Sequence, residues 1–211
     1  METKMNSYQK TLIFREQCIL FEAEEANSGL NGWIGGNIPE YLSNDVLFCE
    51  KHKNDYYFYF TIVNPFDKQK MLSVFPPKNY DKLCENHIYP NCSILLFEHE
   101  ISTESSNIDF TNLEIVRHDI SKGTTITDPV IKENPYFIKL GGKPDLIQGS
   151  SHYFKKLDEN SLSFFFQINE EGYPESLLKG SYPFFFGALY IYAKINESFI
   201  TEPCVGYWQF A

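Results

Sequence analysis

The chain has 211 residues, 43 % hydrophobic and 22 % charged, which excludes a disordered polymer and gives enough length for one large domain or two small ones. A formal charge of −10 and a pI near 5.0 oppose binding to nucleic acid or anionic membranes and favour basic protein partners. Aromatic residues reach 17 %, and such side chains fit pleated, half-buried surfaces, so the composition points to a mainly β (α+β) fold.

The first residues, Met1 to Asn6, have no apolar stretch behind them, and no run approaches the length of a membrane span, so a cytoplasmic location is expected. Residues 17–25 pass from apolar to acidic and predict a strand ending in solvent. Asn27 to Gly32 read as a loop, and Gly35, Gly36 and Pro39 permit a sharp backbone path after it. Residues 56–63 predict a strong strand stopped at Asn64-Pro65, and 71–75 a short strand closed by Pro76-Pro77. Tyr80, Leu83, Cys84 and Ile88 lie at helical spacing and predict one short helix. Ser93 to Ile101 predict a further strand, 102–112 a polar loop, and 113–120 an edge strand. From 121 to 134 the composition turns to Gly, Thr, Asp and Pro, which predicts a connector. Beyond it, 162–169 and 184–195 predict two more strands.

The landmarks repeat. Gly35 and Gly141 are 106 positions apart, and so are Phe58 and Phe164. The chain therefore reads as two pseudo-repeated antiparallel β-sheet units with one or two short helices: 1–120 as an acidic first unit, 121–134 as connector and 135–211 as the second unit. A second echo sets Tyr89-Pro90 and the following 94–101 against Tyr182-Pro183 and 189–195, at an offset of 93. On that alignment the second unit lacks thirteen residues, where the first has its 71–75 strand. Residues 1–120 carry eighteen acidic and ten basic residues, whereas 121–211 carry ten and eight, so the charge concentrates in the first unit.

No motif for nucleophilic, phosphate-binding, dinucleotide or metalloprotease chemistry occurs. The five cysteines are odd in number and widely spaced, without Cys-x-x-Cys, so they read as reduced thiols and not as a disulfide framework or zinc site. Glu98-His99-Glu100 is the one tight carboxylate–His cluster, but on a strand His99 faces away from both carboxylates. No cofactor or metal is expected, and no catalytic residue is assigned. The aromatic run 56–60 resembles a base-stacking platform only superficially, because its neighbours Glu50, Asp55 and Asp67 are acidic. Glu22, Glu24 and Glu25 are the best candidates for steering a basic partner, with Glu98, Glu100, Glu104 and Asp109 completing the expected partner-binding set. Gly35, Gly36, Gly141, Gly142, Pro144, Phe166, Gln167 and Ile168 are read as structural motif residues.

Several of these residues also carry a resemblance. Lys139-Leu140-Gly141-Gly142-Lys143-Pro144, then Phe164-Phe165-Phe166-Gln167-Ile168-Asn169, then Gly187 to Tyr192 and the closing Gly206 to Phe210, resemble the YwqG-like family of bacterial proteins of unknown function. The resemblance covers 135–211 and reaches the first half only through the internal echo. It implies a β-rich duplicated fold without an established activity, and a link to bacterial toxin-immunity systems, beside which family members sometimes occur. The resulting expectation is a non-catalytic cytosolic immunity protein that binds and neutralises a cognate basic toxin, typically a nuclease domain. The alternative is a small-molecule or peptide-binding domain, or an unrecognised hydrolase, using a cleft between the two units.

Overall fold

The computed structural model describes residues 6–25, 31–79, 87–129 and 135–210. Among these residues twelve strands form two six-stranded antiparallel sheets. The strands are β1 (Gln17–Phe21), β2 (Ala23–Glu24), β3 (Gly32–Ile34), β4 (Phe60–Asn64), β5 (Asp67–Phe75), β6 (Leu95–Glu100), β7 (His118–Ile120), β8 (Thr124–Thr127), β9 (Ile138–Gly141), β10 (Ser163–Asn169), β11 (Ala188–Ile195) and β12 (Ile200–Gln209). The first sheet runs β2-β7-β3-β4-β5-β6 and the second β8-β1-β9-β10-β11-β12. Among the described residues three short α-helices accompany them: α1 (Glu40–Ser43), α2 (Val46–His52) and α3 (Lys155–Glu159). The helix expected over 79–88 falls mostly on residues outside the described set.

The 106-residue spacing is also the ladder register. In the first sheet Ile34 faces Phe60, Trp33 faces Thr61 and Gly32 faces Ile62. In the second, Leu140 faces Phe166, Lys139 faces Gln167 and Ile138 faces Ile168. Each residue of one set lies 106 positions before its counterpart. Both Gly-Gly pairs sit in the left-handed region, at φ +66 and +70 for Gly35 and Gly36 and +72 and +63 for Gly141 and Gly142, a conformation open to glycine at no steric cost.

Inner faces of both sheets meet in one core. Ile34, Phe60, Ile62, Leu72 and Val74 from the first pack with Ile138, Leu140, Phe166, Ile168 and Leu189 from the second. The rings of Phe60 and Phe166, equivalent residues of the two units, meet edge to face at 6.2 Å. Burying each such side chain contributes about 1.5–3 kcal/mol. The outer face of the first sheet is covered by α1, α2 and Phe110, enclosing Trp33, Phe58 and Phe75. The outer face of the second is covered by Tyr153 and Leu157 of the α3 region, over Phe164, Tyr190 and Tyr207.

Three expectations change. The sheets do not divide at residue 120: β1 belongs to the second sheet, and Thr124–Thr127, inside the expected connector, is that sheet's edge strand. The chain passes from the second sheet to the first between β1 and β2, and back between β7 and β8. A Thr-rich edge strand with mostly exposed side chains has the composition of a linker, which hides it from sequence reading. Second, the strand expected within 113–120 is no edge; β7 lies between β2 and β3. Third, the offset-93 echo aligns the wrong strands. β11 occupies the position of β5, next to the aromatic strand, whereas β12 matches β6. The second unit therefore has its counterpart of 71–75, and the false alignment came from Tyr-Pro turns that precede two non-equivalent strands, β6 and β11.

Candidate functional site

The acidic candidates do not converge. Glu22, Glu24 and Glu25 are exposed beside β2, whereas Glu98 and Glu100 are exposed on β6, the opposite edge of the first sheet. Four strands lie between, a separation of about 24 Å at ordinary strand spacing. Asp109 is exposed in the loop after β6. Glu104 is engaged internally, unlike the free surface acid expected of it. Its Oε1 accepts the Asn37 amide at 2.8 Å, and its Oε2 pairs with Arg117 Nε at 3.0 Å, so it closes the first Gly-Gly turn. Asp128 does the same for the second turn, accepting the Lys143 amide at 2.9 Å and pairing with Lys139 at 2.7 Å. Gly36 and Gly142 leave these carboxylates room: a Cβ on Gly36 would lie 2.4 Å from Glu104, and one on Gly142 2.7 Å from Asp128. The remaining motif residues are also structural in position. Phe166 and Ile168 are fully buried, Gln167 accepts the Asp145 amide at 2.7 Å, and Pro144 lines a surface pocket together with Arg15.

Three Ser–His contacts bear on hydrolytic chemistry. Ser73 Oγ lies 2.8 Å from His99 Nε2, but both residues are buried and His99 Nδ1 meets the Glu100 carbonyl at 2.7 Å. That carbonyl fixes the proton on Nδ1, and burial pushes the imidazole pKa down, so His99 is a neutral core residue. Exposed Ser176 meets buried His118 Nε2 at 2.9 Å, with the Val116 carbonyl near Nδ1 at 3.1 Å. Ser150 meets His152 at 2.7 Å on the surface. No carboxylate orients any of the three rings among the hydrogen bonds of the described residues. No group of three His, Cys, Asp or Glu among them could hold a metal ion. The described cysteines are free, and burial pushes the Cys18 and Cys92 thiols up to about 12, which leaves them unreactive; Cys84 lies outside the described residues.

What stands out is an aromatic loop that sequence reading missed. The strand expected to begin at 184 begins at Ala188, because Phe185 and Phe186 both take left-handed backbone angles, φ +55 and +62. Such angles cost a bulky residue roughly 1–2 kcal/mol each, so something must hold them. Glu170, at the start of a 3₁₀ turn (Glu170–Gly172), does so. Its side chain is fully buried, and its two oxygens accept the amides of Phe184 at 2.7 Å and Gly187 at 2.8 Å. Gly187 itself has no space for a side chain, since a Cβ would come within 2.0 Å of the Gln209 carbonyl.

The result is an aromatic surface at one end of the second sheet. Phe185 is 52 % exposed, Phe186 46 % and Phe210 49 %. They are not loose: Phe185 and Phe210 lean on buried Trp208, with ring centroids 6.1 Å away in each case, and Phe186 stands edge-on to Tyr182 at 5.1 Å. Partly exposed Ile147 is tied to the same strand end, its amide donating to Gln209 Oε1 at 3.0 Å. Glu171 and Glu175 are exposed in the same connection. The sequence signal was present in Tyr182-Pro183-Phe184-Phe185-Phe186-Gly187, but an aromatic run reads as strand unless the backbone is known.

No family model, no curated protein and no solved structure matches the chain. No helix among the described residues is long and apolar enough to cross a membrane.

Proposed function

We propose that this chain is a non-catalytic binding protein whose partner is a basic protein, and that it docks through the aromatic surface around Phe185 and Phe186. In its sharpest form the partner is a cognate basic bacterial toxin, such as a nuclease domain, and the chain is its cytosolic immunity protein. The observation that carries the reading is the pair of consecutive exposed phenylalanines held in left-handed conformations by buried Glu170. Strain of this kind persists only where surrounding contacts enforce it, and rigid aromatic anchors lose little entropy on binding. The charge of −10, with Glu171 and Glu175 exposed in the same connection, complements a basic surface and speeds association with it. The acidic residues of β2 and β6, on opposite edges of the first sheet, contribute to long-range steering in this reading and not to a single contact patch.

The test is co-expression with the product of the gene immediately upstream. Stoichiometric co-purification and relief of that product's toxicity are expected, and a Phe185→Ala/Phe186→Ala variant is expected to lose both. Absence of binding and of neutralisation by the wild-type chain refutes the immunity reading. Full binding by the double variant refutes the assignment of the surface.

A further inference from the structure

A pocket of about 420 Å³ opens between the two sheets, away from the aromatic loop, within the range of about 300–1,000 Å³ usual for small-ligand sites. One wall comes from the second sheet: Ile19 and Phe21 on β1, Thr125 on β8, and Lys122 and Gly123 just before β8. The facing wall comes from the first: Val63 on β4, Pro65 in the following turn, Lys68 on β5, and Ile101 after β6. The floor is apolar, with Ile19 and Phe21 almost fully buried. Ile101 is 51 % exposed at the rim. Gly123 lies flat against that floor; a Cβ there would meet Ile19 at 2.5 Å and the Phe21 ring at 2.8 Å. Its φ is not left-handed, so close approach and not backbone conformation calls for glycine.

The charge is the informative part. The chain carries 28 acidic residues against 18 basic ones, yet the lining holds two lysines and no carboxylate. Neither Lys68 nor Lys122 forms an ion pair within 4.0 Å among the described residues. Asn31 and Thr125 add polar groups at the walls. An apolar floor under two unpaired cations selects a ligand with an apolar body and one negative end.

We propose that this inter-sheet pocket binds small amphiphilic anions, aliphatic or aromatic carboxylates whose body rests on Ile19 and Phe21 and whose charge is met by Lys68 and Lys122. The site is independent of the aromatic docking surface. Because both lysines are exposed, their attraction weakens as salt rises.

Octanoate, octanol and octylammonium, three probes with one body and three charges, separate the contributions when titrated into the ¹⁵N-labelled full chain. Saturable amide shifts at Val63, Gly123 and Thr125 are expected with octanoate, which should bind roughly tenfold more tightly than either other probe. Lys68→Glu/Lys122→Glu should remove that preference without unfolding the chain, since both side chains lie in solvent. Thr125→Trp, on an exposed edge position, should fill the pocket and abolish the shifts. Phe185→Ala/Phe186→Ala should leave octanoate binding intact whether or not the protein partner is lost. The proposal is overturned if octanoate gives no saturable shifts at these amides, if octanol binds equally well, or if the charge-reversed variant keeps the preference.

Discussion

Glu170 and Gly187 are bonded to each other twice. The Glu170 amide donates to the Gly187 carbonyl at 3.0 Å, and the Gly187 amide donates back to the Glu170 carboxylate at 2.8 Å. With Phe184 as a second donor, one buried side chain fixes both ends of the segment that displays Phe185 and Phe186. Replacing Glu170 with Ala removes the acceptors and leaves buried amides unsatisfied. A loss of about 1–3 kcal/mol is expected for each such group. Hydrogen exchange should show the amides of Phe184 and Gly187 losing protection first. If those amides stay as protected as in the wild type, Glu170 does not hold the loop.

The same group gives a pH dependence. Burial pushes the Glu170 carboxyl up to about 7, against the opposing pull of the amides of Gly187, Phe184 and Phe186. In an unfolded chain it titrates near 4.5. Between these values the native state keeps a proton that the unfolded state has released. Stability from this group is therefore full below about 4.5, falls as pH rises through about 7, and levels off above it. The swing is about 3 kcal/mol. Urea denaturation of the wild type and of Glu170→Gln, which cannot titrate, should diverge across this window, with the wild type losing ground as pH rises. Parallel curves from pH 4.5 to 8 contradict the assignment.

The legible part of the fold was the part fixed by local sterics. Gly35, Gly36, Gly141 and Gly142 all adopt left-handed angles and close the same turn after equivalent strands, so their spacing had to match the ladder register of Phe60 and Phe166. Strand exchange was invisible, because β1 and Thr124–Thr127 carry no residue that names the sheet they join. That information lies in pairs such as Ile19 with Leu140 and Ile19 with Thr125, all distant in sequence. Glu104 misled, and Glu170 raised no expectation, for a related reason. Each stands in a polar stretch that reads as solvated surface, yet each folds back onto amides of a remote turn, and hydrogen-bond partners cannot be read from composition.

The turn closures are testable in parallel. Gly36→Ala and Gly142→Ala each place a Cβ against a carboxylate, Glu104 in one case and Asp128 in the other, and force alanine to a left-handed φ. Left-handed strain alone costs about 1–2 kcal/mol, so each variant should lose at least that in thermal or urea unfolding. Gly149→Ala, with open space around it, is the control and should stay within about 0.5 kcal/mol of the wild type. Equal behaviour of all three variants counts against the steric account.

Lys139 supplies the sharpest difference between the two units. It holds the register position that Trp33 holds in the first sheet, and both are fully buried. Trp33 sits in an apolar cluster, but Lys139 Nζ lies between Asp128 at 2.7 Å and Asp145 at 3.3 Å. Asp128 is itself buried and also caps the second Gly-Gly turn. Lys139→Met keeps an unbranched apolar side chain but leaves the two carboxylates facing each other without a cation. Removing one partner from a buried pair costs about 3–5 kcal/mol, so this substitution should be among the most damaging in the chain. Adding Asp128→Asn and Asp145→Asn should restore most of the loss, because asparagine at 128 can still accept the Lys143 amide while neither side chain carries charge. Urea unfolding at neutral pH reads both effects. A single variant within about 1 kcal/mol of the wild type, or a triple variant no better than the single, would show that the cation is not what holds this face of the second sheet.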